Sequence, residues 1–165
     1  LRAWLTNETL IVAYLECSEK AWPAWRRKND PDGKRIGQIV ESVRSRFAAS
    51  KPRIVLTGHS GGGSFTFGYL NSQQSIPDDI KRIAFLDSNY AYDAAQGHAD
   101  KLTHWLKSSR DHYLCVLAYH DSVALLNGKT FVSESGGTWG RSLAMRKDLG
   151  SVFPLEQRDE EHWQR

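Results

Sequence analysis

The sequence predicts a single α/β domain spanning residues 1–165, a mostly parallel sheet with helices on both faces. Short apolar runs of strand length alternate with stretches whose apolar residues recur at helical spacing. Several runs are apolar throughout rather than alternating, as parallel strands covered on both faces are. With 165 residues, 40% hydrophobic and 11% aromatic, the chain can bury one core.

Taken in order, Thr9-Leu10-Ile11-Val12-Ala13-Tyr14-Leu15 reads as the first strand. Glu19 to Gly33, rich in Trp, Pro and charge, reads as a loop that holds the basic run Arg26-Arg27-Lys28 on a solvated surface. From Lys34 onward Ile36, Ile39, Val40, Val43 and Phe47 form one helical stripe, with Asp30 or Asp32 at its start. Arg53 to Thr57 is the second strand and Ser64 to Leu70 a mostly apolar helix. Lys81 to Asp87 is the third strand. Leu102, Trp105 and Leu106 mark a helix around Ala99 to Lys107, and Tyr113 to Tyr119 is the fourth strand. Arg141 to Leu149 reads as a short helix ended by Gly150, and Val152 to Leu155 as a fifth, weaker strand. In such a sheet a site forms at the carboxyl ends of the strands.

The most informative motif sits at one of those ends. Gly58-His59-Ser60-Gly61-Gly62 follows the Arg53–Thr57 strand directly and precedes a helix. Gly-x-Ser-x-Gly in that setting places a serine on a sharp strand-to-helix turn, whose strained backbone needs neighbours without a Cβ at Gly58 and Gly62. The helix N-terminus would then stabilise negative charge developing on a substrate oxygen.

On these residues, and on the strand and helix order around them, the chain resembles the α/β-hydrolase superfamily, in its serine esterase and lipase-like form. The resemblance implies Ser60 as nucleophile and the chain order serine, acid, histidine for a catalytic triad. His162 is the histidine that falls after the last strand and is the expected base. His120 precedes that position and His59 points away on the turn, while His98, His104 and His112 fall between the third and fourth strands, where surface or helix roles are expected. Asp121 is the expected acid, following the fourth strand, and Asp87, ending the third, is the alternative used in some lipase-like relatives.

The resemblance also implies an oxyanion hole, with one N–H from Gly61 and a second from a loop after an earlier strand. Leu1 to Glu8 holds neither the His-Gly nor the Gly-Gly of such a loop. The chain therefore reads either as lacking the first strands of a complete hydrolase, a missing N-terminal segment being one expected partner, or as a minimal variant with another donor. Ser18, Glu19 and Trp22 are candidates for that donor.

The expected reaction is hydrolysis of a small-molecule carboxylic ester through an acyl-serine intermediate, without a cofactor or metal. Two alternatives stay open: a non-catalytic binding module for a glycan or other ligand, and an acyltransferase. Trp22, Trp25 and Trp139 would serve a carbohydrate-linked substrate by stacking on sugar faces, against the ordinary role of tryptophan in packing. His120-Asp121 is a weak metal pair, without the spacing of a metal motif. Gly61-Gly62-Gly63-Ser64 lacks the Gly-Lys-Ser/Thr ending of a phosphate loop.

The 22 basic and 19 acidic residues are spread along the chain, giving a net charge of +3 and no patch that points to nucleic acid. No run has the length of a membrane span. Cys17 and Cys115 are read in non-neighbouring strands, as free thiols, and the compartment is left open.

Overall fold

A computed structural model of the chain describes residues 10–47 and 51–155. Five helices, α1 (Trp22–Asn29), α2 (Arg35–Arg46), α3 (Gly62–Ser72), α4 (His98–Ser108) and α5 (Gly137–Gly150), accompany three parallel strands, β1 (Ile54–His59), β2 (Ile80–Leu86) and β3 (Tyr113–Leu117). The sheet order is β1-β2-β3. A small antiparallel hairpin, β4 (Leu125–Leu126) with β5 (Lys129–Thr130), leaves the chain after β3. Among the described residues no helix is long and apolar enough to cross a membrane.

Register decides which side chains meet. Leu56, Ile83 and Leu114 lie in one row across the sheet, and Gly58, Phe85 and Val116 in the next. The helices pack on this face. Phe67 of α3 stacks on Phe85 with ring centroids 4.6 Å apart, and the Trp105 indole of α4 donates to the Ile80 carbonyl at 2.8 Å. Each of these large buried side chains contributes on the order of 2–3 kcal/mol by leaving water. Arg44 of α2 reaches Tyr69 of α3 and Asp79 ahead of β2, tying the helix layer to the sheet.

The opposite face differs from expectation. Val55, Tyr113 and Leu117, at 52%, 60% and 59% exposure, share it with exposed Thr57 and His59. Among the described residues the helices therefore cover one face rather than both. The burial of β1 alternates, partly buried then exposed, as in a strand packed on one side only.

Four local expectations are also corrected. Leu10 to Leu15 has no strand partner among the described residues; Leu10, Ile11, Val12 and Tyr14 are exposed, and Ile11 to Ala13 line an open hollow of about 400 Å³ with Ile39 and Val43 of α2 and Phe47 just after it. Cys17 follows this segment rather than sitting in a strand; like Cys115 it is a free thiol. Thr9 lies outside the described residues. Val152 to Leu155 forms a turn and irregular chain, since it too finds no neighbouring strand among the described residues. A strand has no hydrogen bonds of its own, so an apolar run becomes one only beside a partner.

The third correction falls on Glu19 to Gly33, which contains α1. Pro23 lies in its first turn, where a missing N–H costs nothing, and Trp22 packs edge-on against both Trp25 and Phe65. The basic run closes that helix, and Arg26 turns inward to donate to the Ser64 carbonyl at 2.9 Å. Burial, only partly offset by Asp30, lowers the pKa of that guanidinium. Asp30 holds the start of α2, accepting from the Arg35 N–H at 2.7 Å and the Ile36 N–H at 3.4 Å. The fourth correction is that α5 opens at Gly137, four residues before Arg141.

Candidate functional site

The carboxyl ends of the three strands form a staircase. The Ser60 N–H donates to the Leu86 carbonyl at 3.3 Å, and the Asp87 N–H donates to the Leu117 carbonyl at 2.7 Å. Neighbouring parallel strands are about 5 Å apart, so Ser60, Asp87 and the end of β3 stand in one row at steps of that size. Ser60 and Asp87 both adopt left-handed backbone, with φ of +48° and +49°. Side chains with a Cβ rarely take that conformation, and it costs each residue on the order of 1 kcal/mol or more.

Close backbone packing holds Ser60 in its turn. A Cβ on Gly58 would lie 2.7 Å from the Gly62 carbonyl carbon, so the last turn of β1 touches the first turn of α3. Gly62 itself has nothing within 4 Å of an added Cβ. The second glycine the turn requires is Gly63, where a Cβ would drive into the Ser88 carbonyl. Ser88 returns a bond from its hydroxyl to the Gly58 carbonyl at 2.8 Å. Thus β1, α3 and the residue after Asp87 are locked together around an exposed Ser60.

Gly61 caps α3, whose first turn contains no acidic residue. The start of α1 meets it: a Cβ on Gly61 would lie 3.2 Å from the Ala21 methyl and 3.8 Å from the Trp22 main-chain nitrogen. With no side chain capping α1 and no N–H on Pro23, the Trp22 N–H is left at the helix start beside Gly61.

The other end of the row is built from side chains. Asp121, 7% exposed, accepts the Thr138 N–H at 2.7 Å on one carboxylate oxygen and the Trp139 N–H at 3.2 Å on the other. It thereby satisfies two of the N–H groups that open α5. The Thr138 hydroxyl donates to Asp87 Oδ1 at 2.6 Å, and the Tyr119 N–H reaches the same oxygen at 3.4 Å. Gly137, with φ of +62°, has no room for a Cβ against the Asp121 carboxylate. Thr138 was missed in the sequence. Its one visible signal is the Gly136-Gly137 pair just ahead of it, because both of its acceptors lie far away along the chain.

The structure thus brings Ser60, Asp87 and Asp121 to one edge of the sheet. No hydrogen bond joins the Ser60 hydroxyl to a histidine among the described residues, and His162 lies outside them. His120, exposed, pairs its Nε2 with the Ser122 hydroxyl at 2.7 Å and lays its ring on Trp139. His59 faces out on the uncovered side of β1.

His98 and His112 are core residues rather than surface ones. His98 takes the Asp93 N–H on Nδ1 at 3.0 Å and donates from Nε2 to Asn71 Oδ1 at 2.7 Å, and burial, only partly offset by Asp93, pulls its pKa down to about 4. The loop from Asn89 to Ala99 is clamped under α5, with Asn89 donating to the Ser142 hydroxyl and Tyr92 to Asp148. All three tryptophans considered for sugar stacking are half-buried: Trp22 packs edge-on against Trp25 and Phe65, while Trp139 stands at the start of α5 beside the row, with the His120 ring 5.1 Å away. Comparison of the chain with protein-family models, with curated proteins and with solved structures finds no match.

Proposed function

We propose that the chain is a serine hydrolase of the α/β-hydrolase kind, cleaving carboxylic esters through an acyl-serine intermediate. The observation that carries the reading is Ser60: an exposed serine in left-handed backbone, at a strand-to-helix turn so tight that Gly58 and Gly63 admit no Cβ. A strained serine exposed at the start of a helix that no side chain caps suits a nucleophile better than a structural serine.

In this mechanism Ser60 Oγ attacks the ester carbonyl while His162 takes its proton. The tetrahedral oxyanion is held by the Gly61 N–H and, in this reading, by the Trp22 N–H of the adjoining helix start. His162 then returns the proton to the departing alkoxide, leaving the acyl group on Ser60. A water molecule, deprotonated by the same base, releases the acid and restores the serine. Asp121 orients the histidine, with Asp87 as the alternative. Acyl transfer to an alcohol in place of water would follow the same steps, and product analysis with competing acceptors separates the two.

The test is labelling of the full chain with a fluorophosphonate, followed by peptide mass spectrometry, with Ser60→Ala as control. An adduct on Ser60, absent from the control, supports the reading and opens substrate screening. Absence of adduct on folded protein removes it and leaves the ligand-binding alternative.

A further inference from the structure

We propose that Thr138 is a positioning residue that joins the two carboxylates of the site into one unit, so that Asp87 anchors the start of α5 and that helix start aims Asp121 at the base. The inference rests on the serine-hydrolase reading above. It assigns different tasks to two aspartates that the sequence offers as rivals for one.

The geometry separates the two. Both Asp121 oxygens accept main-chain N–H groups of consecutive residues, which fixes the plane of the carboxylate. Each oxygen keeps a further acceptor site, so the group can still take an imidazole N–H. The bonds of Asp87 converge instead on one oxygen, from the Thr138 hydroxyl and the Tyr119 N–H, and join the ends of β2 and β3 to the first turn of α5. Thr138 is 5% exposed and uses both of its donors, the N–H toward Asp121 and the hydroxyl toward Asp87. A shift of the helix start would carry the Thr138 and Trp139 N–H groups with it, and Asp121 would turn with them. Gly137 leaves no slack, since its backbone is packed against the Asp121 carboxylate.

The test measures the rate of Ser60 labelling by the fluorophosphonate as a function of pH, on the full chain. Thr138→Val removes the hydroxyl and keeps the shape and the N–H. It is expected to lower the plateau rate about tenfold. It should also move the acid limb to lower pH, because a carboxylate held less firmly beside the base stabilises its protonated form less. Thr138→Ser is expected to recover the rate to within about threefold, since it restores the donor. Asp87→Ala should lose at least as much as Thr138→Val, since it also removes the acceptor of the Tyr119 N–H, and the double variant should be no worse than Asp87→Ala alone, because the shared bond is then already gone. A variant that merely loosens the fold lowers the melting temperature without moving the limb.

Unchanged rate and limb in a folded Thr138→Val protein, with the wild type labelled at Ser60, overturn the inference and spare the hydrolase reading. Failure to label the wild type overturns both. Should Thr138→Val not fold, Asp87→Asn decides against Asp87→Ala: Asn still accepts the hydroxyl and must retain more activity, and equal losses overturn the anchor role.

Discussion

The starts of α3 and α5 flank the same row of residues and are made in opposite ways. The turn into α3 is held by backbone against backbone: Gly58 on Gly62, Gly63 on Ser88 and Ser60 in left-handed conformation between them. The turn into α5 is held by carboxylates, with Asp121 on the Thr138 and Trp139 N–H groups and Asp87 on the Thr138 hydroxyl. The first needs residues that are absent of side chain and close in sequence. The second needs particular side chains from positions 17 and 51 residues away. A backbone-built turn tolerates almost no added atom, whereas a side-chain-built turn loses one bond at a time.

The largest effect should come from adding atoms to the first turn. Gly63→Ala and Gly58→Ala each place a methyl against main chain that cannot move aside, and we expect losses of about 3–5 kcal/mol, or no folded protein, in urea denaturation followed by circular dichroism. A loss under about 1 kcal/mol would show that this turn has room after all.

Next comes a junction of the second kind at α4, where His98 links Asp93 to Asn71. Its pKa falls from 6.5 to about 4, burial being the main cause, so the folded chain keeps the ring neutral. Between those values the unfolded chain binds the extra proton, and stability therefore rises with pH across the window. Acidifying from pH 7 to pH 4 should remove about 3 kcal/mol through this ring. Titration of His98 by nuclear magnetic resonance near its ordinary value would contradict this.

A smaller loss is expected from Asp121→Ala, which leaves two N–H groups at the start of α5 without their acceptor. We expect about 2 kcal/mol in thermal denaturation, and a partial recovery in Asp121→Asn, which keeps one carbonyl oxygen. An unchanged melting temperature would mean that water replaces the carboxylate at no cost. Smallest of all is Gly62→Ala, where an added Cβ meets nothing; it should change stability by less than about 1 kcal/mol, in the favourable direction. A clear destabilisation there would erase the contrast between Gly62 and Gly63.

The same division governs what could be read from the chain. β1, β2 and β3 fall within a few residues of the apolar runs at Arg53, Lys81 and Tyr113, and α2 and α4 follow their stripes closely. Leu10 to Leu15 carries an equally apolar signal and forms no strand among the described residues, because apolar content reports a tendency to be buried and says nothing about whether a neighbouring strand exists. α1 was hidden by Pro23, a residue that breaks a helix in its middle and suits it at its first turn. Within the site, the position of Ser60 on a strand-to-helix turn was visible in the spacing of its glycines. Gly63 was not singled out, since the Ser88 carbonyl that demands it arrives from the end of another strand.

The sequence by itself determined the alternation of strands and helices and the turn that carries Ser60, because each of these rests on residues within a few positions of one another, and that alternation in turn implies a parallel sheet. The tertiary structure alone decided that one face of the sheet is covered among the described residues, that Asp87 and Asp121 meet through Thr138, and that the start of α1 stands beside Gly61. Those depend on which distant segments come into contact, and short-range periodicity carries no record of that choice.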